Sequence, residues 1–366
     1  MRLDAVELIR ARIDLAVPFR AAHGVQNHRD LLYVRTIGDA EGWGECVAMN
    51  QPGYTDESVD TAEHVIRTRL LPLLERDGTV ESFLRDASVV AGHPMARTAV
   101  ETALLDLELR LGGESLSSRL GASRDRVPSG AAVGLQPDID TLLAAVRALV
   151  AQGYVRIKMK IDPANDLETV RAVRDEFGPS LMLQVDANGA YGRDDMDRLV
   201  ALDGLGLVLI EQPFASGDLE SHAMLRERIS TPVCLDESLG SFDAVEHALG
   251  IGACDVVCVK PARLGGIAET VRVHDLCVSA GVPMWVGGML ETGIGRAALL
   301  AVAAMPGFTI PGDTSASDRW FLRDVTPPFV LENGTIAVPQ GPGIGVEPLP
   351  DVLDRLAVSR ETVVVG

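Results

Sequence analysis

Lysine is rare in this chain and is confined to three positions. Of the 33 basic residues, only Lys158, Lys160 and Lys260 are lysines. Arginine stays charged in proteins, whereas a buried lysine can lose its proton and act as a base. Lys158 and Lys160 alternate in the run VRIKMKI, so a strand would place both side chains on one face. These three residues are therefore candidates for proton transfer.

Three carboxylates end the next apolar runs along the chain. Asp186, Glu211 and Asp236 stand in LQVDAN, LIEQP and CLDES. A single aspartate at such a position is more often a turn former or helix cap, and a single lysine more often a surface charge. A whole set of buried charges needs partners or a metal, and oxygen ligands suit a hard divalent cation. We therefore predict a site for Mg²⁺, or for another divalent cation such as Mn²⁺.

A divalent cation beside two amines suits one type of reaction, the removal of a proton α to a carboxylate. The cation stabilises the enediolate, while one lysine takes the proton and another stands on the opposite face. A free lysine has a pKa of roughly 10.4. The pKa of the base is therefore expected to be lowered by burial, by the metal and by the neighbouring Lys158.

The elements that carry these residues recur from residue 127 onward. Eight apolar runs follow one another about every 25 residues, the length of a strand, a helix and two short loops; they are SGAAVGL, VRIKMKI, LMLQVDAN, LVLIEQP, PVCLDES, DVVCVKP, VPMWVGGM and FTIPGD. Nearly continuous apolar strands are typical of parallel sheets buried on both faces. The pattern predicts an α/β fold of the TIM-barrel type, in which strands two and six would place Lys160 and Lys260 opposite each other.

The chain divides into three predicted parts, an α+β domain at 1–125, the barrel at 126–320 and a C-terminal segment at 321–366. In the first part we expect strands at 6–17 and 31–36, a polar loop at 18–30 between them, a second loop at 49–60 and helices within 57–74 and 95–111. The C-terminal segment has strand-like stretches at 329–332 and 336–339. We expect it to return to the first domain.

Composition excludes several classes of protein. The net charge of -19 disfavours nucleic acid and anionic membranes as partners. The five cysteines form no CxxC pair, and the charged N-terminus does not resemble a signal peptide, so we expect a cytoplasmic protein with reduced thiols. No GxSxG motif occurs, and the seven histidines lack the spacing of metal ligands.

One motif is typical of a different class of protein. GIGRAA at 293–298 matches the GxGxxA fingerprint of dinucleotide-binding proteins, and Asp318 follows at the appropriate distance. The motif lies in the seventh unit of the repeat rather than at its start. We therefore expect its amides to hold an anionic group of the substrate, and keep a nicotinamide-dependent oxidoreductase as a distant alternative.

The chain resembles the enolase superfamily, in its muconate-lactonizing-enzyme subgroup, and more closely the o-succinylbenzoate synthase / N-acylamino acid racemase family. Enolase-superfamily sites combine a Lys or His base with Mg²⁺. The resemblance spans nearly the whole chain and rests on PFR (from residue 18), GWGECV (42), GYVRIKMKI (153), LQVDAN (183), LIEQP (209), CLDES (234), KPARLGG (260), GGMLETGIGR (287) and PGDTSASDRWF (311).

The resemblance implies a (β/α)7β barrel under an α+β capping domain that the C-terminal segment closes. It implies Mg²⁺ on the three carboxylates, Lys160 and Lys260 as the acid/base pair, and Lys158 assisting at the substrate carboxylate. The substrate-binding residues that it implies are Arg20, Tyr54, Asn188, Arg263, Met289, Glu291, Asp313 and Ser315. Arg20 and Tyr54 lie in stretches that match the specificity loops of the family, and Arg263 matches an arginine of racemase-competent members.

Two activities are implied, and the motifs do not choose between them. One is o-succinylbenzoate synthase, a dehydration in menaquinone biosynthesis; the other is racemisation of N-succinyl or other N-acyl amino acids. Dipeptide epimerase and muconate cycloisomerase are alternatives within the subgroup, and a barrel that only binds an acidic ligand is an alternative outside it. The expected partner is a small carboxylate, and members of the family are usually homo-oligomers.

Overall fold

The computed structural model describes residues 1–21 and 24–366, and the side chains of all of these except 19–21, 24 and 25. An antiparallel sheet of four strands has the order β13-β1-β2-β3. Its strands are β1 (Leu3–Ala21), β2 (Gly24–Gly38), β3 (Glu41–Cys46) and β13 (Ala357–Val364). Because β13 pairs with β1, the C-terminal segment completes the sheet built by the start of the chain.

A parallel sheet of seven strands forms the barrel, in the order β11 to β5. The strands are β5 (Gly130–Val133), β6 (Arg156–Lys160), β7 (Met182–Asp186), β8 (Ile210–Glu211), β9 (Val233–Leu235), β10 (Val256–Val259) and β11 (Met284–Val286). A bridge joins Met284 of β11 to Phe308, and another joins Ser129, next to β5, to Gly312. Residues 308–312 therefore lie between the two edge strands and take the place of an eighth strand. The predicted barrel is confirmed, and β4 (Arg126–Pro128) pairs with β12 (Thr335–Ala337) beside it.

The helices that accompany these strands are numbered in chain order. They are α1 (Val59–Val65), α2 (Val80–Ala87), α3 (Pro94–Gly112), α4 (Leu116–Arg119), α5 (Ile139–Gln152), α6 (Leu167–Phe177), α7 (Met196–Val200), α8 (Leu219–Arg226), α9 (Phe242–Gly250), α10 (Pro261–Leu264), α11 (Ile267–Ala280), α12 (Gly293–Ala303) and α13 (Pro350–Leu356). Among the described residues, no helix is long and apolar enough to span a membrane.

Local sequence explains where α6 begins and ends. The Asp166 side chain accepts a hydrogen bond from the Leu167 amide at the helix start, and Gly178 ends the helix with a φ of 73°. Val170 and Val173 turn to the core, as the helical period predicts. In the strand before it, the alternation of β6 turns Lys158 and Lys160 to the same side of the sheet.

Two glycines let the antiparallel sheet lie directly on α3. A Cβ at Gly42 would lie 2.1 Å from the Ala103 carbonyl oxygen, and one at Gly44 would lie 2.0 Å from that of Ala99. Only glycine allows this approach of two backbones. The GWGEC run of β3 is therefore a packing surface for the longest helix.

Three expectations about the outer elements are wrong in detail. The polar loop expected at 18–30 is largely strand, because β1 extends to Ala21 and β2 begins at Gly24. The helix expected within 57–74 is α1 followed by a π-helical turn and a 3₁₀ turn that contains Pro72. Residues 329–332 form no strand, whereas β13 was not expected. The domain boundaries near 125 and 320 stay predictions.

Candidate active site

Lys160 ends β6 at the mouth of the barrel. Its Nζ donates to Asp186 Oδ2 at 2.5 Å and to Asn188 Oδ1 at 2.6 Å. Asn188 follows β7 in the left-handed region, with a φ of 44°, a conformation that asparagine tolerates better than most residues. The Lys160 ammonium is thereby fixed by two acceptors from the neighbouring strand.

Lys260 follows β10 on the other side of the barrel. Its Nζ donates to Asp236 Oδ2 at 2.7 Å and to the Tyr54 hydroxyl at 2.6 Å. Arg263 donates to Asp236 Oδ1 at 2.7 Å, so this carboxylate lies between two cations. Burial alone would lower the pKa of Lys260, but Asp236 and Tyr54 raise it well above the usual lysine range.

Lys158 lies deeper in the barrel than Lys160 and is 4% exposed. Its Nζ is 2.9 Å from Asp313 Oδ2 and 3.2 Å from both Asp186 Oδ2 and Glu211 Oε2. Burial alone would lower the pKa of Lys158, but these three carboxylates raise it well above its usual range. Nearby carboxylates therefore outweigh burial at both Lys158 and Lys260.

The three predicted metal ligands lie at adjacent strand ends and are each at most 1% exposed. Burial would raise the pKa of Asp186 and of Asp236, but the lysines beside them hold both pKa values below the usual range. Burial and the Asp186 charge raise the pKa of Glu211 to about 8. Oxygen atoms of Glu211 and Asp236 lie within 4.8 Å of each other and of the Cys258 sulfur, and Asp186 is outside that group.

The donor chemistry of this set fits a hard divalent cation, since all three predicted ligands are carboxylates. A further carboxylate, Glu237, was missed by the sequence analysis. Its Oε1 accepts from Asn188 Nδ2 at 2.7 Å, while its buried Oε2 has no hydrogen-bond partner among the described residues. A buried carboxylate oxygen without a donor is costly, which also favours a cation or bound water near these side chains.

A buried arginine below the lysines was also missed. Arg156 is fully buried and donates to Asp313 Oδ1 and to Gln184 Oε1, both at 2.5 Å. Gln184 in turn donates to Glu211 Oε2 at 2.6 Å. A Cβ at Gly130 would lie 2.6 Å from the guanidinium, so a larger residue there would displace Arg156 from these contacts. This chain of contacts fixes Asp313 and Glu211 around Lys158.

One cavity joins most of the predicted residues. Those that line it are Lys158, Lys160, Lys260, Tyr54, Asn188, Met289, Asp313 and Ser315, together with Gln26, Met49 and Trp320, which were not singled out. Arg263 lies behind Tyr54 and Asp236 rather than on the cavity wall. Glu291 is not on the wall either; its Oε1 accepts from the Met289 amide. The side chain of Arg20 lies outside the described residues.

The start of α12 does not offer its amides to a ligand. Glu45 of β3 accepts from the Thr292 and Gly295 amides at 2.9 and 2.8 Å, and Asp324 accepts from the Gly293 amide at 2.8 Å. The expectation that GIGRAA holds an anionic group of the substrate is therefore wrong. The hydrogen-bond donors at this helix N-terminus already have acceptors, which are carboxylates of the protein itself.

Fold and site together define an α/β-barrel enzyme with lysines and carboxylates gathered at the barrel mouth. Residues 141–352 match the family described as Enolase C-terminal domain-like. An N-succinylamino acid racemase from Amycolatopsis sp is 49% identical over 98% of this chain and 99% of that protein. An o-succinylbenzoate synthase from Geobacillus stearothermophilus is 40% identical over 99% of this chain and 96% of that protein.

A solved structure of an enolase-superfamily member from Listeria innocua superposes with a TM-score of 0.96 at 38% identity, covering both chains completely. The chain belongs to the enolase superfamily and, within it, to the family of o-succinylbenzoate synthases and N-succinylamino acid racemases. Enzymes of this superfamily use a divalent metal ion and act on small carboxylates.

Proposed function

We propose that this enzyme removes the proton α to a substrate carboxylate, with a lysine available on each face of the substrate. The observation that carries the proposal is the placement of Lys160 and Lys260 on the wall of one cavity. The strands that carry them, β6 and β10, are four positions apart around a barrel of eight strand positions, and therefore lie on opposite sides of the barrel. Ammonium groups largely withdrawn from water are costly, so a functional role explains these two lysines better than a structural one.

Asp186, Glu211 and Asp236 would hold the divalent cation, for which Mg²⁺ is the first choice and Mn²⁺ the second. When bound, the cation polarises the substrate carboxylate and stabilises the enediolate. Lys158 lies between Asp186, Glu211 and Asp313, where its ammonium can add positive charge next to that carboxylate. Tyr54, Met289 and Ser315 line the remaining wall and would bind the rest of the substrate.

The same residues support two reactions. In racemisation, one lysine in its neutral form takes the α-proton, and the other, as an ammonium, returns a proton to the opposite face. In dehydration, Lys160 takes the α-proton, the bond from the neighbouring carbon to its hydroxyl breaks, and the hydroxyl takes a proton from the Lys160 ammonium and leaves as water. The substrates are N-succinyl or other N-acyl amino acids and the cyclohexadiene carboxylate that yields o-succinylbenzoate for menaquinone, since the similar enzymes carry both names.

We also infer that the enzyme works in the cytoplasm, as its cysteine content and charged N-terminus indicate, and that it is a homo-oligomer, as the family resemblance implies. All five cysteines are buried and free, which supports a reducing compartment.

The test measures exchange of the α-proton in D2O with both enantiomers of N-succinyl amino acids, with Mg²⁺ and with EDTA, beside a dehydration assay. We expect metal-dependent exchange from both enantiomers. Fast dehydration without exchange would restrict the enzyme to o-succinylbenzoate synthesis. No reaction in either assay would refute the proposed substrates.

A further inference from the structure

Asn188 is fixed by contacts on three sides. Its backbone amide donates to Asp186 Oδ1 at 2.9 Å. Its side chain accepts from Lys160 Nζ through Oδ1 at 2.6 Å and donates to Glu237 Oε1 through Nδ2 at 2.7 Å. The amide group of Asn188 therefore lies directly between an ammonium and a carboxyl group.

The orientation of that amide is determined by its two neighbours. An ammonium can only donate and an ionised carboxylate can only accept. Turning the Asn188 amide over would put its NH2 group against Lys160 and its oxygen against Glu237, which would replace two attractive contacts by two repulsive ones. Glu237 thus selects the rotamer in which Asn188 presents an oxygen to Lys160.

The backbone of Glu237 is also held in place. Its carbonyl oxygen accepts from Arg263 Nη2 at 2.8 Å, and it directly follows Asp236, which binds Lys260. The side chain extends from this segment, at the end of β9, to Asn188 at the end of β7. No hydrogen bond joins Glu237 to Lys260 among the described contacts; Lys260 is instead held by Asp236 and Tyr54.

We propose that Glu237 is a positioning residue that acts through the hydrogen bonds of Asn188 on Lys160, so that it controls proton transfer on one face of the substrate more than on the other. The proposal rests on the proposed two-lysine function. Proton transfer depends steeply on the distance and alignment of the donor and acceptor, so a misdirected amine loses rate even when its strand is intact.

The experiment compares α-proton exchange in D2O from the two enantiomers of an N-succinyl amino acid in the Mg²⁺-loaded enzyme. Lys160→Ala and Lys260→Ala first assign each enantiomer to its lysine, since each variant should lose exchange from one enantiomer. Glu237→Met then removes the carboxylate that accepts the hydrogen bond from Asn188 Nδ2. Glu237→Gln keeps an oxygen that can accept this bond but removes the negative charge. Glu57→Gln, at a buried glutamate that binds the α3 amides, is the matched control.

We expect Glu237→Met to lower exchange from the Lys160-dependent enantiomer at least about tenfold relative to the other. Glu237→Gln should recover most of that ratio, and Glu57→Gln should leave it unchanged. The ratio is measured within one sample, so partial unfolding cancels. Equal losses from both enantiomers, or an unchanged ratio, would overturn the proposal.

A double-mutant cycle tests the route through Asn188. Asn188→Leu should reproduce the skewed ratio, and adding Glu237→Met to it should change the ratio no further. A further multiplicative loss in the double variant would refute the route. If the wild-type enzyme exchanged neither enantiomer, the proposed function itself would have failed, an outcome distinct from every result expected for Glu237.

Discussion

Lys160 and Lys260 reach the same cavity but are held by different groups. Lys160 is bound by Asp186 and Asn188, whereas Lys260 is bound by Asp236 and Tyr54. A substitution that removes the hydrogen-bond partners of one lysine therefore need not disturb the other lysine. This separation allows the two faces of a substrate to be tested independently.

Lys260→Arg should separate the two proposed reactions. Arginine keeps the cation but cannot act as a base, so racemisation should fall at least about 100-fold. Part of the dehydration activity should remain, because dehydration needs Lys260 only as a cation. Optical rotation and the ultraviolet absorbance of the aromatic product measure the two rates. Strong racemisation by this variant would show that the two-base assignment is wrong.

Lys160→Ala should abolish racemisation and dehydration together, because dehydration begins with proton removal by Lys160 and racemisation in either direction needs Lys160 on one face of the substrate. Both rates should fall by at least about 100-fold at saturating Mg²⁺. Arg171→Ala, at an exposed position of α6, is the control and should behave as wild type. Dehydration that survives in Lys160→Ala would contradict the assignment of the base.

The catalytic candidates could be predicted from the sequence because rarity and spacing mark them. Lys158 and Lys160 stand out among the arginines, and the three carboxylates end consecutive strands. Glu237 and Arg156 could not be found this way, because their roles depend on contacts with residues remote in the chain. Arg156 and its partner Asp313 are 157 positions apart, and no local pattern links them.

At the scale of elements, buried carboxylates from other segments bind the first amides of several helices. Glu57 accepts from Met95 and Ala96 at the start of α3, and Glu101 accepts from Ala268 at the start of α11. Helix N-termini favour such anions, but burial opposes their charge. Burial prevails and raises the pKa of both Glu57 and Glu101 to about 7.

Glu57→Gln should change how stability depends on pH. The pKa of Glu57 rises from 4.5 to about 7 on folding, so the folded state binds more protons between these values. The stability contributed by Glu57 is therefore present below about pH 4.5 and lost as pH rises through about 7. We expect the melting temperature of wild type minus that of Glu57→Gln to fall from pH 5 to pH 8. The exposed Glu81→Gln is the control, and a rising difference would contradict the sign.

Glu45→Ala should weaken the contact between β3 and the start of α12. It removes the acceptor of the Thr292 and Gly295 amides and of the Thr292 hydroxyl, all near the cavity loop that carries Met289. Buried donors left without acceptors should lower the free energy of unfolding by about 3 kcal/mol in urea titrations. Ser241→Ala, which removes the side-chain cap of α9, should cost only about 1 kcal/mol. A smaller loss for Glu45→Ala than for Ser241→Ala would contradict this account.

The barrel strands were predictable, whereas the parts of β1 and β2 within residues 18–30 and the whole of β13 were not, for a physical reason. Barrel strands are buried on both faces, so composition alone marks them. The arms of the β1–β2 hairpin contain charged residues that pair across the two strands, such as Asp30 with Arg12, and therefore resemble a loop in sequence. Most residues of β13 are exposed, and its pairing with β1 depends on backbone hydrogen bonds, which leave no periodicity in the sequence.

At the scale of the whole molecule, the predicted metal ligands come from three consecutive strands of a closed barrel. Asp186 ends β7, Glu211 ends β8, and Asp236 follows β9. A cation bound to all three would connect segments that otherwise meet through backbone hydrogen bonds and the lysines. Because unfolding disperses the ligands, binding should stabilise the folded chain as a unit.

Mg²⁺ should therefore raise the melting temperature of the enzyme in the absence of substrate. A ligand at 100 times its dissociation constant adds about 2.7 kcal/mol of stability, which corresponds to a rise of a few degrees for a chain of this size. Glu211→Gln should lose most of the rise, because a neutral amide replaces one of three charged ligands. Sodium chloride at matched ionic strength controls for screening of the net charge of -19. An equal rise with sodium chloride, or in Glu211→Gln, would locate the cation away from the three strand ends.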